Sequence, residues 1–199
     1  MKDTLLTTLR DKKTDLSAFR QAANNLCSIL ASEVASSLEE DPISVETPFA
    51  KTSGKRLSHS IYLLPIMRAG TIFLPPFLHL FPSAKVGFFG IRRDEKTADP
   101  KPYYENLPKI DSRDEILLLD PMIATGGTAL WALDRLAALS VPETRIRLVG
   151  VIASVEGIQR IKVKYPHLKI IVAAEDPQLD AKKFINPGLG DFGDRYFGN

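Results

Sequence analysis

The chain predicts an α/β fold, a mainly parallel β-sheet flanked by helices, and two observations carry that expectation. Five short apolar runs have the length and unbroken hydrophobicity of strands buried on both faces: IYLLPIM (61–67), KVGFFGI (85–91), EILLLD (115–120), IRLVGVIAS (146–154) and KIIVAA (169–174). Between the last three, TALWALDRLAAL (128–139) and VEGIQRIKVKY (155–165) repeat their apolar residues at helical spacing. Strand, helix, strand, helix, strand is the order of a parallel sheet. Ligands of such sheets bind beyond the carboxyl ends of the strands, which directs attention to the loops after Met67, Ile91, Asp120 and Ser154.

The remaining elements follow in chain order. Leu16, Phe19, Ala23, Leu26, Leu30 and Val34 recur every three or four residues and describe an amphipathic helix capped by Thr14 or Asp15. Residues 42–58 carry β-branched positions around Thr-Ser-Gly and read as a hairpin or irregular excursion. The apolar stretch 71–81 contains Pro75 and Pro76, which would end or delay a helix; it suits either core or an interface. Arg92 to Pro108 is polar and proline-punctuated, the profile of a disordered loop or a mobile lid, and its arginines favour the lid. Lys96, Asp99 and Lys101 would form its solvated tip, while Tyr103 and Tyr104 would anchor its base. Four glycines in the last twelve residues (Gly188, Gly190, Gly193 and Gly198) fit a pocket shaped by backbone better than a regular element.

Composition sets the bounds. With 199 residues, 44% apolar and 25% charged, the chain reads as one domain, residues 1–199, that needs neither disulfide nor metal to hold its core. A net charge of +2 gives no footprint for a nucleic-acid coat or a membrane-surface binder. A single cysteine, Cys27, excludes an intramolecular disulfide framework, and His59, His79 and His167 share no metal-ligand spacing. No apolar run approaches the roughly 20 residues that span a bilayer, and MKDTLLTTLRDKK resembles neither a secretory signal nor a transit peptide. A cytoplasmic protein is expected, with no nucleic-acid or membrane partner.

The chemistry concentrates in EILLLDPMIATGGTALWALDRL, where a buried strand runs into Asp120, then a Thr-Gly-Gly-Thr turn, then a helix. Amides at a helix N-terminus are unsatisfied and partially positive, Gly126 and Gly127 admit a phosphate at close range, and Thr125 and Thr128 add hydroxyls. Asp120 requires a neighbour other than phosphate, such as ribose hydroxyls or a metal. A nucleoside-triphosphate P-loop would place lysine after its second glycine and a dinucleotide fold would need three spaced glycines; neither is present.

DPMIATGGTA (120–129) resembles the phosphoribosyl pyrophosphate motif of type I phosphoribosyltransferases, and its Asp-Pro pair is similar to the uracil phosphoribosyltransferases in particular. The resemblance extends to VETPFAKTSGKRL (a Glu-Thr-Pro hairpin), LLPIMRAG (a pyrophosphate loop), RRDEKTADPKPYYENLP (a flexible lid) and PGLGDFGDRYFG (a C-terminal uracil site). It implies transfer of a phosphoribosyl group from phosphoribosyl pyrophosphate to uracil, giving UMP and pyrophosphate, with magnesium bound to the substrate and no direct protein ligand for it. By that resemblance Asp120, Arg68 and Arg93 are catalytic. The ribosyl substrate contacts those three with Pro121, Met122, Ile123, Ala124, Thr125, Gly126, Gly127, Thr128 and Asp191, and uracil contacts Ile185, Gly190, Asp191 and the position of Phe192. A homodimer or higher homo-oligomer and GTP as a candidate allosteric activator are also implied.

Several positions depart from the family pattern. Phe192 stands where alanine is common and would either point away or reshape the base site; Phe184 and Arg92 replace tyrosines, and the stretch after Arg-Ala-Gly lacks the usual glycine-containing helix. Two other readings stay open: a related transferase for another base, or a non-catalytic nucleotide-sensing regulator of the same fold.

Overall fold

The computed structural model describes residues 1–93 and 100–199, with Arg93 described in its backbone only. Two helices come first, α1 (Lys2–Arg10) and α2 (Leu16–Ala35); of the two expected caps it is Asp15 that serves α2, its carboxylate accepting from Ala18 N–H at 2.8 Å. The hairpin follows as β1 (Glu40–Glu46) and β2 (Lys51–Leu57), antiparallel and almost wholly exposed. Next come β3 (Ile61–Met67), a 3-10 turn (Ala69–Phe73) and α3 (Leu74–Leu80), with both prolines in the first turn of α3, where no amide hydrogen is needed. The helix is thus delayed, and Ile72, Phe73, Phe77 and Phe81 are buried, which assigns this stretch to the core.

The run expected at 85–91 divides at Gly87 into β4 (Lys85–Val86) and β5 (Phe88–Arg93). The predicted loop 92–108 is corrected in part: Pro100–Asn106 forms β6, antiparallel to β5. β6 lies at the end of the sheet order, where Pro100 and Pro102 can join a ladder without their missing donors being needed on the outer side. The chain continues through β7 (Glu115–Leu119), β8 (Met122–Ile123), α4 (Gly127–Ala138), β9 (Ile146–Ser154), α5 (Val155–Lys164) and β10 (Lys169–Asp176). It ends with a small antiparallel pair, β11 (Gln178–Leu179) and β12 (Ile185–Asn186), and α6 (Phe192–Phe197).

Among the described residues the main sheet has the order β10-β9-β7-β3-β5-β6, parallel except at β6, with β4 beside β3 and β8 beside β9. Alternate residues point to opposite faces. Leu63, Leu117 and Val149 pack under α1, α2 and α3, while Leu64, Leu118 and Leu148 pack under α4 and α5. Burial on both faces explains why these strands read as unbroken apolar runs. Arg147 interrupts one such run; it is 2% exposed and pairs with Glu115, also 2% exposed, and with Ser37.

Candidate functional site

At the carboxyl end of β7 the chain leaves the sheet without losing its hydrogen bonds. Asp120 N–H donates to Val149 O at 3.0 Å, and Pro121 O accepts from Val151 and Ile152. Asp120 is half-buried, and desolvation pushes its carboxyl up to about 7 against the opposing Met122 N–H, 3.4 Å away. A carboxylate held this way gains from a ligand that brings hydroxyl donors or positive charge.

The turn then passes through Gly126 at φ 73°, and α4 starts with no side-chain cap. Its first-turn amides therefore lack a capping side chain, apart from a long 3.4 Å contact from Gly127 N–H to Thr125 Oγ1, and such amides are donors suited to an anion. A β-carbon at Gly126 would meet Gly157 O at 2.9 Å, so only glycine meets both the backbone angle and the space.

Residues of β9 and α5 that sequence reasoning missed hold this turn in place. Ser154 caps α5 by accepting from Gly157 N–H at 2.8 Å, and its hydroxyl donates to Ala124 O at 2.6 Å. Gly157 lies so close that a β-carbon would sit 2.2 Å from Ala124 O. Arg160 Nη1 donates to Thr125 O at 3.3 Å. The serine cap was readable as a strand-to-helix signal; its hold on the preceding loop was not.

The C-terminal segment forms the facing wall. Asp191 caps α6, accepting from Asp194 N–H at 2.8 Å, and Gly188 and Gly190 take φ of 61° and 81°. The segment is tied to α1: Arg10 donates to Asp176 Oδ1 at 2.6 Å, to Asp176 Oδ2 at 2.8 Å and to Gly188 O at 2.8 Å, while Gly188 N–H donates to Asp176 Oδ2 at 2.7 Å. Arg195 donates to Leu189 O and Asp11 O, each at 2.7 Å, and to Leu9 O. Its guanidinium carbon lies 4.4 Å above the Phe19 ring.

Phe192 takes the first of its two expected courses. Its ring is 1% exposed, stacked on Tyr196 at 6.2 Å and edge-on to Phe19 at 5.4 Å, so the side chain fills core. Its N–H points to Met122 Sδ at 3.3 Å, joining the two walls behind the site.

One cleft lies between the walls. Its lining brings together Asp120, Met122, Ile123, Ala124, Thr125, Gly126, Gly127, Thr128, Ile185 and Asp191 of the expected set, and adds Ala129, Lys183 and Phe184. Pro121, Gly190 and Phe192 are not in that lining. Arg68 lines a second cleft with Met67, Ile91, Arg92 and Tyr103, and Tyr103 also packs, with Tyr104, over Gly90. The Met67–Arg68 peptide is cis. Gly70 ties this loop to β7, since a β-carbon there would meet Leu119 O at 2.3 Å, and Arg68 Cζ sits 5.9 Å from the Phe197 ring. The side chain of Arg93, and Lys96 and Asp99, lie outside the described residues.

For a cation, the cleft offers the carboxylates of Asp120 and Asp191, which are hard oxygen donors. Among the described residues the one cluster with three closely spaced candidate ligands is Glu39, His59 and Glu115, none of which lines the cleft; Arg145 already bridges Glu39 and Glu115, at 2.9 Å each.

Comparison with known proteins agrees with this geometry. The family model described as uracil phosphoribosyltransferase matches residues 2–199. Uracil phosphoribosyltransferases of Finegoldia magna and Wolinella succinogenes are 42% and 38% identical, each over 97% of this chain and 92% of the relative. The solved AQ2163 protein from Aquifex aeolicus superposes with a TM-score of 0.90 at 34% identity, over 98% of this chain and 93% of that one. With the family model matched over residues 2–199 and relatives 38% and 42% identical from end to end, and with the glycine-bearing 125–128 turn and the C-terminal segment meeting across one cleft, this protein belongs to the uracil phosphoribosyltransferase family.

Proposed function

We infer that this chain transfers the 5-phosphoribosyl group of phosphoribosyl pyrophosphate to uracil, giving UMP and pyrophosphate in pyrimidine salvage. The observation that carries the reading is the single cleft lined by both Asp120 with the 125–128 turn and Ile185 with Asp191. In the reaction the bond from C1′ to the diphosphate oxygen breaks, the bond from C1′ to uracil N1 forms, and the N1 proton is released.

The turn binds the 5′-phosphate through the first amides of α4 and the hydroxyls of Thr125 and Thr128. Asp120 orients the ribose hydroxyls, and its charge favours the positive character that builds on the sugar. Arg68, and Arg93 on the neighbouring strand, take the departing diphosphate. Asp120 and Asp191 are the residues that would sit beside a magnesium ion brought in with the substrate, which would neutralise leaving-group charge. Backbone groups near Ile185 and Gly190 would select uracil, because an N–H that donates to the C4 carbonyl would confront the exocyclic amine of cytosine.

The whole chain acts as one catalytic domain in this reading, and it is cytoplasmic; no helix among the described residues is long and apolar enough to cross a membrane. Homo-oligomerisation is supported by the β1–β2 hairpin, which is exposed along both strands and carries Phe49 at its tip with 98% exposure. GTP activation is tested in the same assay as turnover.

That assay is UMP formation from labelled uracil, phosphoribosyl pyrophosphate and magnesium, with and without GTP, with cytosine and hypoxanthine in parallel. UMP from uracil alone is the expected outcome. Turnover of another base would relocate the specificity, and binding of the ribosyl substrate without turnover would make the chain a regulator.

A further inference from the structure

Three residues with charged side chains line the main cleft: Asp120, Asp191 and Lys183. Two of the three are acidic, yet the ligand of the proposed reaction brings phosphate groups. Lys183 is the cationic side chain among the described lining residues.

Its placement is built, with φ of 65°, left-handed backbone that a residue with a β-carbon rarely adopts. The β11–β12 turn enforces it. Asp180 Oδ1 accepts from Lys182 N–H at 2.8 Å and Phe184 N–H at 2.9 Å, Asp180 O accepts from Lys183 N–H at 2.9 Å, and Asp180 N–H donates to Phe184 O at 2.8 Å. Glycine would hold the same turn without steric cost. The turn itself does not require a lysine, and this lysine is one of the residues that line the cleft.

We propose that Lys183 is a further substrate-binding residue, whose ammonium group pairs with the 5′-phosphate common to phosphoribosyl pyrophosphate and UMP from the wall opposite the 125–128 turn. This rests on the proposed reaction. Lys183 serves affinity for the phosphorylated ligands and leaves the chemical step to Asp120.

The test measures binding of UMP and ribose 5-phosphate by calorimetry, and steady-state KM values for both substrates, in the wild type and in Lys183→Gly, Lys183→Gln and Lys183→Arg. Loss of a charge-assisted hydrogen bond is expected to weaken UMP and ribose 5-phosphate by about tenfold in the Gly and Gln variants. The KM for phosphoribosyl pyrophosphate should rise equally, with kcat and the uracil KM within about twofold and a shallower salt dependence of affinity. Lys183→Arg should retain most of the affinity. Lys183→Gly should also melt higher, because it removes the left-handed strain; a purely structural lysine would gain that stability and lose no affinity. Unchanged UMP and ribose 5-phosphate affinity in Gly and Gln variants that still fold would overturn the proposal, as would a change confined to the uracil KM. A wild type that binds neither phosphorylated ligand would instead overturn the reading of the cleft itself.

Discussion

The two walls of the cleft are held by different physics. The proposed phosphate turn, 120–128, is fixed by near neighbours: the ladder of β7, β8 and β9, and a close backbone approach of α5 that Gly157 and Gly126 permit. The proposed base wall, 183–192, has little regular structure of its own and depends on a charged side chain from the far end of the chain, Arg10 on α1 against Asp176 and Gly188. One wall is electrostatic machinery on a rigid frame. The other is a shaped backbone tied down by an ion pair, to which the proposed Lys183 contact adds one charge for the phosphate. Substitutions on the two should fail in different ways.

The largest effect is expected at Asp120. Asp120→Asn should lower kcat/KM by roughly 10²- to 10³-fold, as loss of a charge aimed at the transition state does. The same substitution should stabilise the ligand-free protein. Its carboxyl is raised from 3.8 to about 7, so ionising it costs the fold; the cost is absent below pH 4, grows as pH rises to 7 and is full above. Removing that charge should gain up to about 4 kcal/mol at pH 8 and nothing near pH 4, read from denaturant unfolding at both values.

Asp176→Asn breaks the base wall from behind. Asp176 is 3% exposed, and leaving Arg10 without its carboxylate should cost about 3 kcal/mol of stability and raise the uracil KM. The Arg10 guanidinium and the Gly188 amide hold this carboxyl below its ordinary range, with Arg10 the larger influence. Its contribution is therefore present above that range and disappears in acid as the pH falls through the lowered value. The stabilities of wild type and variant should converge there.

Gly157→Ala disturbs the turn from its support. The added methyl would lie 2.2 Å from Ala124 O, so the loop must shift, at about 1–3 kcal/mol, and phosphoribosyl pyrophosphate affinity should fall more than uracil affinity. Arg160→Ala is the smallest change, since it removes one exposed hydrogen bond to Thr125 O; a rise of about 2–5-fold in the KM for phosphoribosyl pyrophosphate is expected.

The same division decides what the sequence discloses. The turn is legible because its parts are contiguous: an apolar strand, a carboxylate, Thr-Gly-Gly-Thr and a helix all fall within residues 115–139. Ser154 and Gly157 are legible as a capped helix start, but their grip on Ala124 crosses some 30 residues and leaves no local pattern. The base wall shows its glycines, while its clamp from Arg10 to Asp176 spans 166 positions and belongs to no periodicity. Phe192 illustrates the limit in another way: its identity raised the question of the base site, and only the packing of Phe19 and Tyr196 around it answers where the ring goes. β6 was hidden by Pro100 and Pro102, which argue against a central strand and are tolerated at an edge.

The most direct test of this division is the pH dependence of kcat/KM for phosphoribosyl pyrophosphate in the wild type, Asp120→Asn and Asp176→Asn, measured in parallel. In the proposed role Asp120 acts ionised, so the wild type and Asp176→Asn should lose activity together as the pH falls below about 7, while Asp120→Asn stays low and flat. An acid limb that survives in Asp120→Asn, or that is missing from the wild type, would contradict the assignment of the electrostatic work to the phosphate wall.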